Sequence, residues 1–437
     1  MDIRVEKLVY GGDGLAHYGG ATIFVPYVLP AERVVVAPIE SKKKFVRARI
    51  ERLVEASAER TRPRCPHFGT CGGCNYQHAP YETQLKYKAE ILRETLRRIG
   101  RVDWPGEISI HASPPWGYRN RAQWKVRPLE HVPAATETLR PTKKGFGIGY
   151  FQAHSTALCA PEDCAILSPK LLKTFLALRG ALASGALPEG MREIEAFLPP
   201  SASADETKLL LTVTFAALPR PVADVARSIR VSVPGITSLV LYEPRRERME
   251  LDGPGFVECA FGSYTYRVGH FSFFQVNNFL VEELVREVVE REEPGRLALD
   301  LFAGVGLFSI PLARRFGRVV AVESNPAAAR DLEVNAKSSS VIGIHGTDVE
   351  HFLENLREKP DTVVLDPPRT GLMRGLIARL AALAPPRITY VSCEPPTLAR
   401  DLMFLREAGY EPSEVHLFDL FPQTFHMETV VRLCRQP

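Results

Sequence analysis

From about residue 269 to the C-terminus, apolar runs and helical stretches alternate with few interruptions, and this pattern constrains the fold most strongly. Residues 296–302 (RLALDLF), 318–324 (RVVAVES), 341–346 (VIGIHG), 361–368 (DTVVLDPP) and 388–393 (ITYVSC) are short runs rich in Val, Ile and Leu. Between them the spacing predicts helices over 307–316, 326–337, 349–358, 372–383 and 396–408, with closing strands near 416–420 and 427–434. Strands that read as continuously apolar are buried on both faces, and strands joined through helices run parallel. The expectation is a doubly wound α/β sheet whose ligand sits beyond the carboxyl ends of its strands.

The residues at those strand ends carry the chemistry. DLFAGVGLFSIPLA (300–313) takes a strand into a Gly-rich turn and then a helix, and Gly304 and Gly306 allow the backbone to approach a ligand closely. Glu323 closes the next strand, where a carboxylate accepts ribose hydroxyls. The third Gly of a dinucleotide fingerprint is missing and Asp300 is acidic, which favours S-adenosylmethionine. In VVLDPPRTG (363–371), Asp366 ends a strand and Pro367-Pro368 stiffens the loop. An adenine-N6 methyltransferase would need an aromatic residue after those prolines, and Arg369 stands there. Cys393 ends a strand just before a helix, where the dipole and free amides favour a thiolate nucleophile. Glu428, in FPQTFHMETVV, is a candidate general base, while His426 reads as structural.

The remaining residues have a different texture. Residues 1–58 contain short β-forming runs broken at Gly11-Gly12, Asp13-Gly14 and Gly19-Gly20, the pattern of a small closed barrel. From Ser41 to Arg64 nine basic residues face three acidic ones, although the whole chain carries only +4. A concentrated basic segment suits a polyanion such as RNA. Residues 59–268 mix classes: a basic helical stretch YETQLKYKAEILRETLRRIG, aromatic and basic residues interleaved around Arg119, Arg121, Lys125 and Arg127, and strands over 205–216 and 236–242. This middle segment opens with CPHFGTCGGC (65–74). Three thiolates on one loop plus a distant fourth fit an iron–sulfur cluster, with zinc as the alternative. Cys164 is preferred to Cys159 as the fourth ligand. No apolar run approaches the roughly 18 residues of a membrane span, and the N-terminus carries no apolar leader core. A cytoplasmic, monomeric protein without a membrane partner is the expectation.

Together these motifs resemble the RNA uracil-C5 methyltransferases, specifically the ribosomal-RNA branch with an N-terminal TRAM barrel and a 4Fe–4S cluster. The likeness spans essentially the whole chain: GDGLAHYGGATIFVPYVLPAE, CPHFGTCGGC, EDCAIL, FFQVN (273–277), DLFAGVG, DPPR, YVSCEP and FHMETVV. It implies a TRAM barrel over 1–58, a central iron–sulfur domain over 59–268 and a Rossmann-like methyltransferase domain over 269–437. It implies Cys393 as nucleophile and Glu428 as base. Gln275, Phe302, Gly304, Glu323, Asp348 and Asp366 would contact S-adenosylmethionine, and Cys65, Cys71, Cys74 and Cys164 would hold the cluster. 23S rRNA is the expected substrate, with tRNA as the alternative. Three residues depart from the family pattern: Leu307 and Glu394 stand where Asn is usual, and Asp348 where Asn is common. Glu394 places a negative charge beside the thiol of Cys393, which raises that thiol's pKa unless the carboxylate points away.

Overall fold

The computed structural model describes residues 1–128, 146–199 and 208–436. The start of the strand expected at 205 lies outside the described residues; its remainder is the strand Leu209–Phe215. The chain divides into two compact units. One holds Met1–Pro115, Pro367–Ile377 and Tyr390–Pro437; the other holds Trp116–Asp366 and Ala378–Thr389.

In the first unit, six strands form the N-terminal sheet, in the order Asp2–Arg4, Arg33–Ser41, Phe45–Glu55, Ala21–Pro26, Asp13–Tyr18, Lys7–Leu8. Their alternation buries Ile3, Ala16, Ile23, Val25, Val34, Val36 and Ala48 in one core, as a half-buried sheet requires. The helix Tyr81–Arg98 follows, ending in Arg97 and Arg98, which suit the negative end of its dipole. The sequence presents this helix as basic, yet Lys88 is fully buried. The same unit carries the C-terminal strands Glu428–Arg435 and Tyr410–Phe418, which pair antiparallel. Tyr410–Phe418 begins six residues before the expected position, because a register shift between Pro412 and Glu414 hides its alternation. Ser109–His111, from the middle of the chain, pairs parallel with its far edge.

The second unit contains two sheets that matter here. Four parallel strands lie in the order Ile342–His345, Phe316–Val322, Gly295–Leu301, Thr362–Leu365. Each connection passes through a helix, as a parallel sheet demands. The helix expected over 307–316 contracts to Ser309–Leu312; Phe316 is already the first residue of the next strand. Asn325 caps the following helix, accepting from the amides of Ala327 and Ala328, with Pro326 in its first turn. The other sheet has seven strands, including Arg121–Pro128, Met191–Phe197, Leu209–Phe215 and Ile236–Glu243. Ala122, Trp124 and Val126 face a core filled by Leu171, Phe175 and Leu178 of one helix and Val225 and Ile229 of another. Both helices belong to that one core, so the alternate residues Gln123, Lys125 and Arg127 lie on the opposite face.

Candidate active site

The Gly-rich turn of the second unit is built where the strand Gly295–Leu301 ends. Phe302 and Gly304 both have left-handed backbones, with φ 66° and 56°. Gly304 is free to adopt that conformation; Phe302 is a bulky residue held there at some cost. The Gly304 amide donates to Glu323 Oε2 at 2.8 Å, and Asn325 donates its amide to Glu323 Oε1 at 2.6 Å. Glu323 thus ties the turn to the end of the neighbouring strand. A side chain at Gly306 would run into Leu332, which is why that position must be glycine.

Three carboxylates converge at these strand ends. Asp300 is fully buried. One of its oxygens accepts from Ser309 Oγ, and the other has no hydrogen-bond partner among the described residues. Burial pushes the Asp300 carboxyl up to about 7, and Glu323 adds repulsion. Burial also pushes Asp366 up to about 7, with Asp300 and Glu323 opposing its charge. A ligand bearing positive charge is the natural complement to such a group. Asp348 is exposed at the start of the helix Val349–Asn355, where its Oδ1 accepts from the amides of Glu350 and His351. Gln275 is buried, and its carbonyl accepts from the Asn120 carboxamide at 3.3 Å. Leu307 is buried too, with its carbonyl taking the Tyr266 hydroxyl at 3.0 Å.

Asp331 belongs to none of the motifs above, yet it organises the approach to FFQVN. Its buried carboxylate accepts from Arg267 Nε at 2.9 Å, the Gly269 amide at 2.6 Å and Ser272 Oγ at 2.7 Å. Asn335, one helical turn on, donates to the carbonyls of Arg267 and Val305. The i, i+4 spacing puts both on one helix face, so the helix clamps the strand before FFQVN and the Gly-rich turn together. That spacing was the available signal.

In the first unit, Cys393 is half-buried between the strand Arg387–Ser392 and the helix Pro395–Glu407. One sequence expectation needs correction. The first turn of this helix offers Cys393 no free amide: Pro395 and Pro396 have no N–H, and the Thr397 amide is bound to the Glu394 carbonyl at 3.1 Å. Glu394 precedes the helix without capping it; its carboxylate accepts from the Tyr10 hydroxyl at 3.0 Å. The loop 367–372 is anchored to the same helix. The Leu372 amide donates to Asp401 at 2.7 Å, and Arg400 donates to the carbonyls of Thr370 and Leu372. Gly371, at φ 71°, lies so close to Thr397 and Asp401 that no side chain fits.

Glu428 opens the strand Glu428–Arg435, is 4% exposed and pairs with Phe418. The loop before it is held from the helix Tyr81–Arg98. Lys88 Nζ donates to Asp419 at 2.6 Å and to the carbonyls of His426 at 2.7 Å and Phe421 at 3.2 Å. Gln84 exchanges two hydrogen bonds with Gln423. The Gln423 carbonyl also receives the amides of Asn75 and Tyr76, next to Cys74. His426 contributes its backbone carbonyl to this network.

A model of the tRNA (uracil-5-)-methyltransferase family matches residues 257–436. A protein of Alkalilimnicola ehrlichii named 23S rRNA (uracil(1939)-C(5))-methyltransferase is 32% identical, covering 100% of this chain and 97% of its own. The protein of that name from Klebsiella pneumoniae strain 342 is 33% identical over 99% of this chain and 95% of its own. The solved structure of Pyrococcus abyssi tRNA (uracil-54, C5)-methyltransferase, bound to S-adenosyl-L-homocysteine, superposes with a TM-score of 0.73 at 25% identity, covering 99% of this chain and 100% of that one. The chain belongs to the RNA uracil-C5 methyltransferase family. It is an S-adenosylmethionine-dependent enzyme with the mixed α/β methyltransferase fold.

Two further features of this methyltransferase bear on its partners. Cys65, Cys71 and Cys74 are half-buried on one loop. The Cys65 amide donates to Gln77, and Phe68 packs between Tyr27 and His78 at 5.1 and 5.3 Å. Burial pushes the Tyr27 hydroxyl up to about 12, and Cys71 and Cys74 are among the groups that add to this. Cys164 is half-buried in the other unit, whereas Cys159 is buried in a short strand. On the open face of the seven-stranded sheet lies a groove of about 570 Å³, lined among others by Lys125, Arg127, Phe151, Arg192, Tyr242 and Phe271. Phe271 is 44% exposed with a left-handed backbone at φ 67°. Arg121 lies on the same face, but its guanidinium is already engaged: it pairs with Glu195 and donates to the Ser272 carbonyl at 2.7 Å. No described helix is long and apolar enough to cross a membrane.

Proposed function

We propose that this enzyme methylates C5 of a uridine in 23S ribosomal RNA through a covalent intermediate on Cys393. The observation that carries the choice of RNA is full-length similarity, at 32–33% identity, to relatives named for 23S rRNA. tRNA is the second reading, favoured by the superposition on a tRNA (uracil-54, C5)-methyltransferase.

Uracil C5 is a poor nucleophile, so covalent activation divides the reaction into easier steps. The Cys393 thiolate adds to C6, and the displaced electron pair moves to the C4 oxygen as an enolate. Bound S-adenosylmethionine supplies an electrophilic methyl on its sulfonium, which C5 takes as the S–CH3 bond breaks. Glu428 then removes the C5 proton, the C5=C6 bond re-forms, and Cys393 leaves as thiolate. The near-complete burial of Glu428 supports the base role, because it keeps the carboxylate out of bulk water where it meets the substrate. The base must leave any stack to reach these groups. Gln275, Phe302, Gly304, Glu323, Asp348 and Asp366 are the proposed cofactor contacts; among them, the ionised carboxylates complement the sulfonium.

Cys65, Cys71, Cys74 and Cys164 would hold a 4Fe–4S cluster. Three half-buried thiols on one loop, backed by Tyr27 and Phe68, fit a soft-metal cluster. Such a cluster ties its loop together and supplies no step of the methyl transfer. Residues 1–58 are proposed as a TRAM-type RNA-binding domain, 59–268 as the central domain and 269–437 as the catalytic domain. The groove of the seven-stranded sheet carries aromatic rings on which bases could stack, with Arg127 and Arg192 as its phosphate-pairing candidates, since Lys125 is paired with Glu193 there.

Incubation with 5-fluorouridine-substituted 23S rRNA and tRNA in parallel tests the proposal. Fluorine at C5 cannot leave as a proton, so the intermediate is trapped. A denaturant-resistant adduct with 23S rRNA, absent in Cys393→Ala, is the expected result. An adduct with tRNA alone would move the substrate to tRNA. No adduct with either RNA, despite bound cofactor, would reject the scheme.

A further inference from the structure

Glu394 poses a problem that its sequence position makes plain. A carboxylate one residue from a nucleophilic thiol opposes the thiolate. The helix that follows gives no compensating amide, since Pro395, Pro396 and the bound Thr397 amide fill its first turn. Nor does Glu394 spend its charge on capping that helix.

The partner comes from the other end of the chain. Tyr10 lies in the turn between the strands Lys7–Leu8 and Asp13–Tyr18 of the N-terminal sheet. Its hydroxyl donates to Glu394 Oε2 at 3.0 Å across 384 residues of sequence. The ring is fixed from the side, edge-on to Phe425 at 5.4 Å. A Cβ on Gly12, two residues along the turn, would come within 3.2 Å of Asn75 and 3.5 Å of Phe425, so the turn is seated against the same wall. Burial and the Glu394 carboxylate hold the Tyr10 hydroxyl well above its ordinary range, so it remains a donor. Arg369 and Cys393 are the other ionisable groups that act on it.

We infer that Tyr10 is a positioning residue for the nucleophile: its hydroxyl binds the Glu394 carboxylate, restraining that charge and drawing part of it off beside the Cys393 thiol. The inference rests on Cys393 being the nucleophile. An N-terminal residue then sets the reactivity of a thiol near the C-terminus, and the acidic departure at position 394 is tolerated because Tyr10 answers it.

Three variants test this: Tyr10→Phe, Glu394→Gln and the double variant. Two rates are read at one fixed pH. The first is adduct formation with 5-fluorouridine RNA in a single turnover. The second is alkylation of the RNA-free enzyme by iodoacetamide, mapped to the Cys393 peptide. Thermal melting and S-adenosylhomocysteine binding confirm that each variant is folded. Tyr10→Phe is expected to slow both rates roughly tenfold, the scale of one hydrogen bond to a charged group. In the Glu394→Gln background, the same Tyr10→Phe change is expected to cost less than about twofold, because no charge is left to restrain. Wild-type rates in Tyr10→Phe, or an equal loss in both backgrounds, would overturn the inference. An adduct that survives Cys393→Ala would instead overturn the nucleophile assignment beneath it.

Discussion

Substitution of Asp300 by Asn should make the ligand-free enzyme more stable at alkaline pH. Asp300 is fully buried, one carboxylate oxygen lacks a hydrogen-bond partner among the described residues, and burial lifts the group to about 7 from an ordinary value near 3.8. Between those two values the folded chain holds a proton that the unfolded chain has released. Stability therefore falls as pH rises through this window. At ~1.4 kcal/mol per pH unit, the gap sets a ceiling of ~4 kcal/mol on what Asp300 costs above pH 7. Asp366 shifts the same way, partly because of Asp300, so Asn at position 300 also relieves Asp366. The assay is urea unfolding at pH 5, 6, 7 and 8 without cofactor. Wild-type enzyme should lose several kcal/mol across the series. The variant should lose less than half as much, and should be the more stable protein at pH 8 by ~2–4 kcal/mol. S-adenosylmethionine should narrow that difference, since its sulfonium favours the ionised carboxylates. Its affinity for wild-type enzyme should therefore rise between pH 6 and 8, by up to about tenfold per pH unit for each proton released. Parallel stability slopes for the two proteins would refute the reasoning, because they would mean that Asp300 is ionised throughout.

Lys88→Met should cost about 3–5 kcal/mol, since it strands the buried Asp419 carboxylate and removes the donor to two carbonyls; differential scanning calorimetry reads the loss, and Lys88→Met with Asp419→Leu should recover much of it. Glu428→Gln should accumulate adduct with unmodified RNA on a denaturing gel, because the C5 proton is no longer removed; an adduct-free variant of full activity would take that role away. Ser at Cys65, Cys71, Cys74 or Cys164 should lower bound iron after anaerobic purification, whereas Cys159→Ser should leave iron unchanged; the opposite result at 159 and 164 would exchange the fourth ligand.

Much of the strand–turn–helix frame was legible because its signals are local. The apolar run ending at Asp300, the Gly304–Gly306 turn, Glu323 one strand later and the Asn325-Pro326 helix start each follow from backbone preferences acting over a few residues. The lack of free amides after Cys393 is equally local, since Pro395 and Pro396 carry no N–H. The helix Ser309–Leu312 came out shorter than its periodicity, because Phe316 was already claimed by the next strand.

What periodicity cannot carry is the identity of distant partners. Lys88 reads as one more basic residue on a basic helix, yet it is buried against an aspartate 331 positions away. Ser109–His111 is a three-residue strand that exists only because Tyr410–Phe418 offers it a sheet edge. The Glu394 carboxylate appears as an uncompensated charge until Tyr10 is brought to it. The sequence by itself determined the strand–turn–helix frame and the residue types at its strand ends, through steric and hydrogen-bonding rules that operate within a turn or two. The tertiary structure decided which buried charges are answered and by what, because a charge in a low-dielectric interior is tolerated only where folding brings a partner within hydrogen-bond reach.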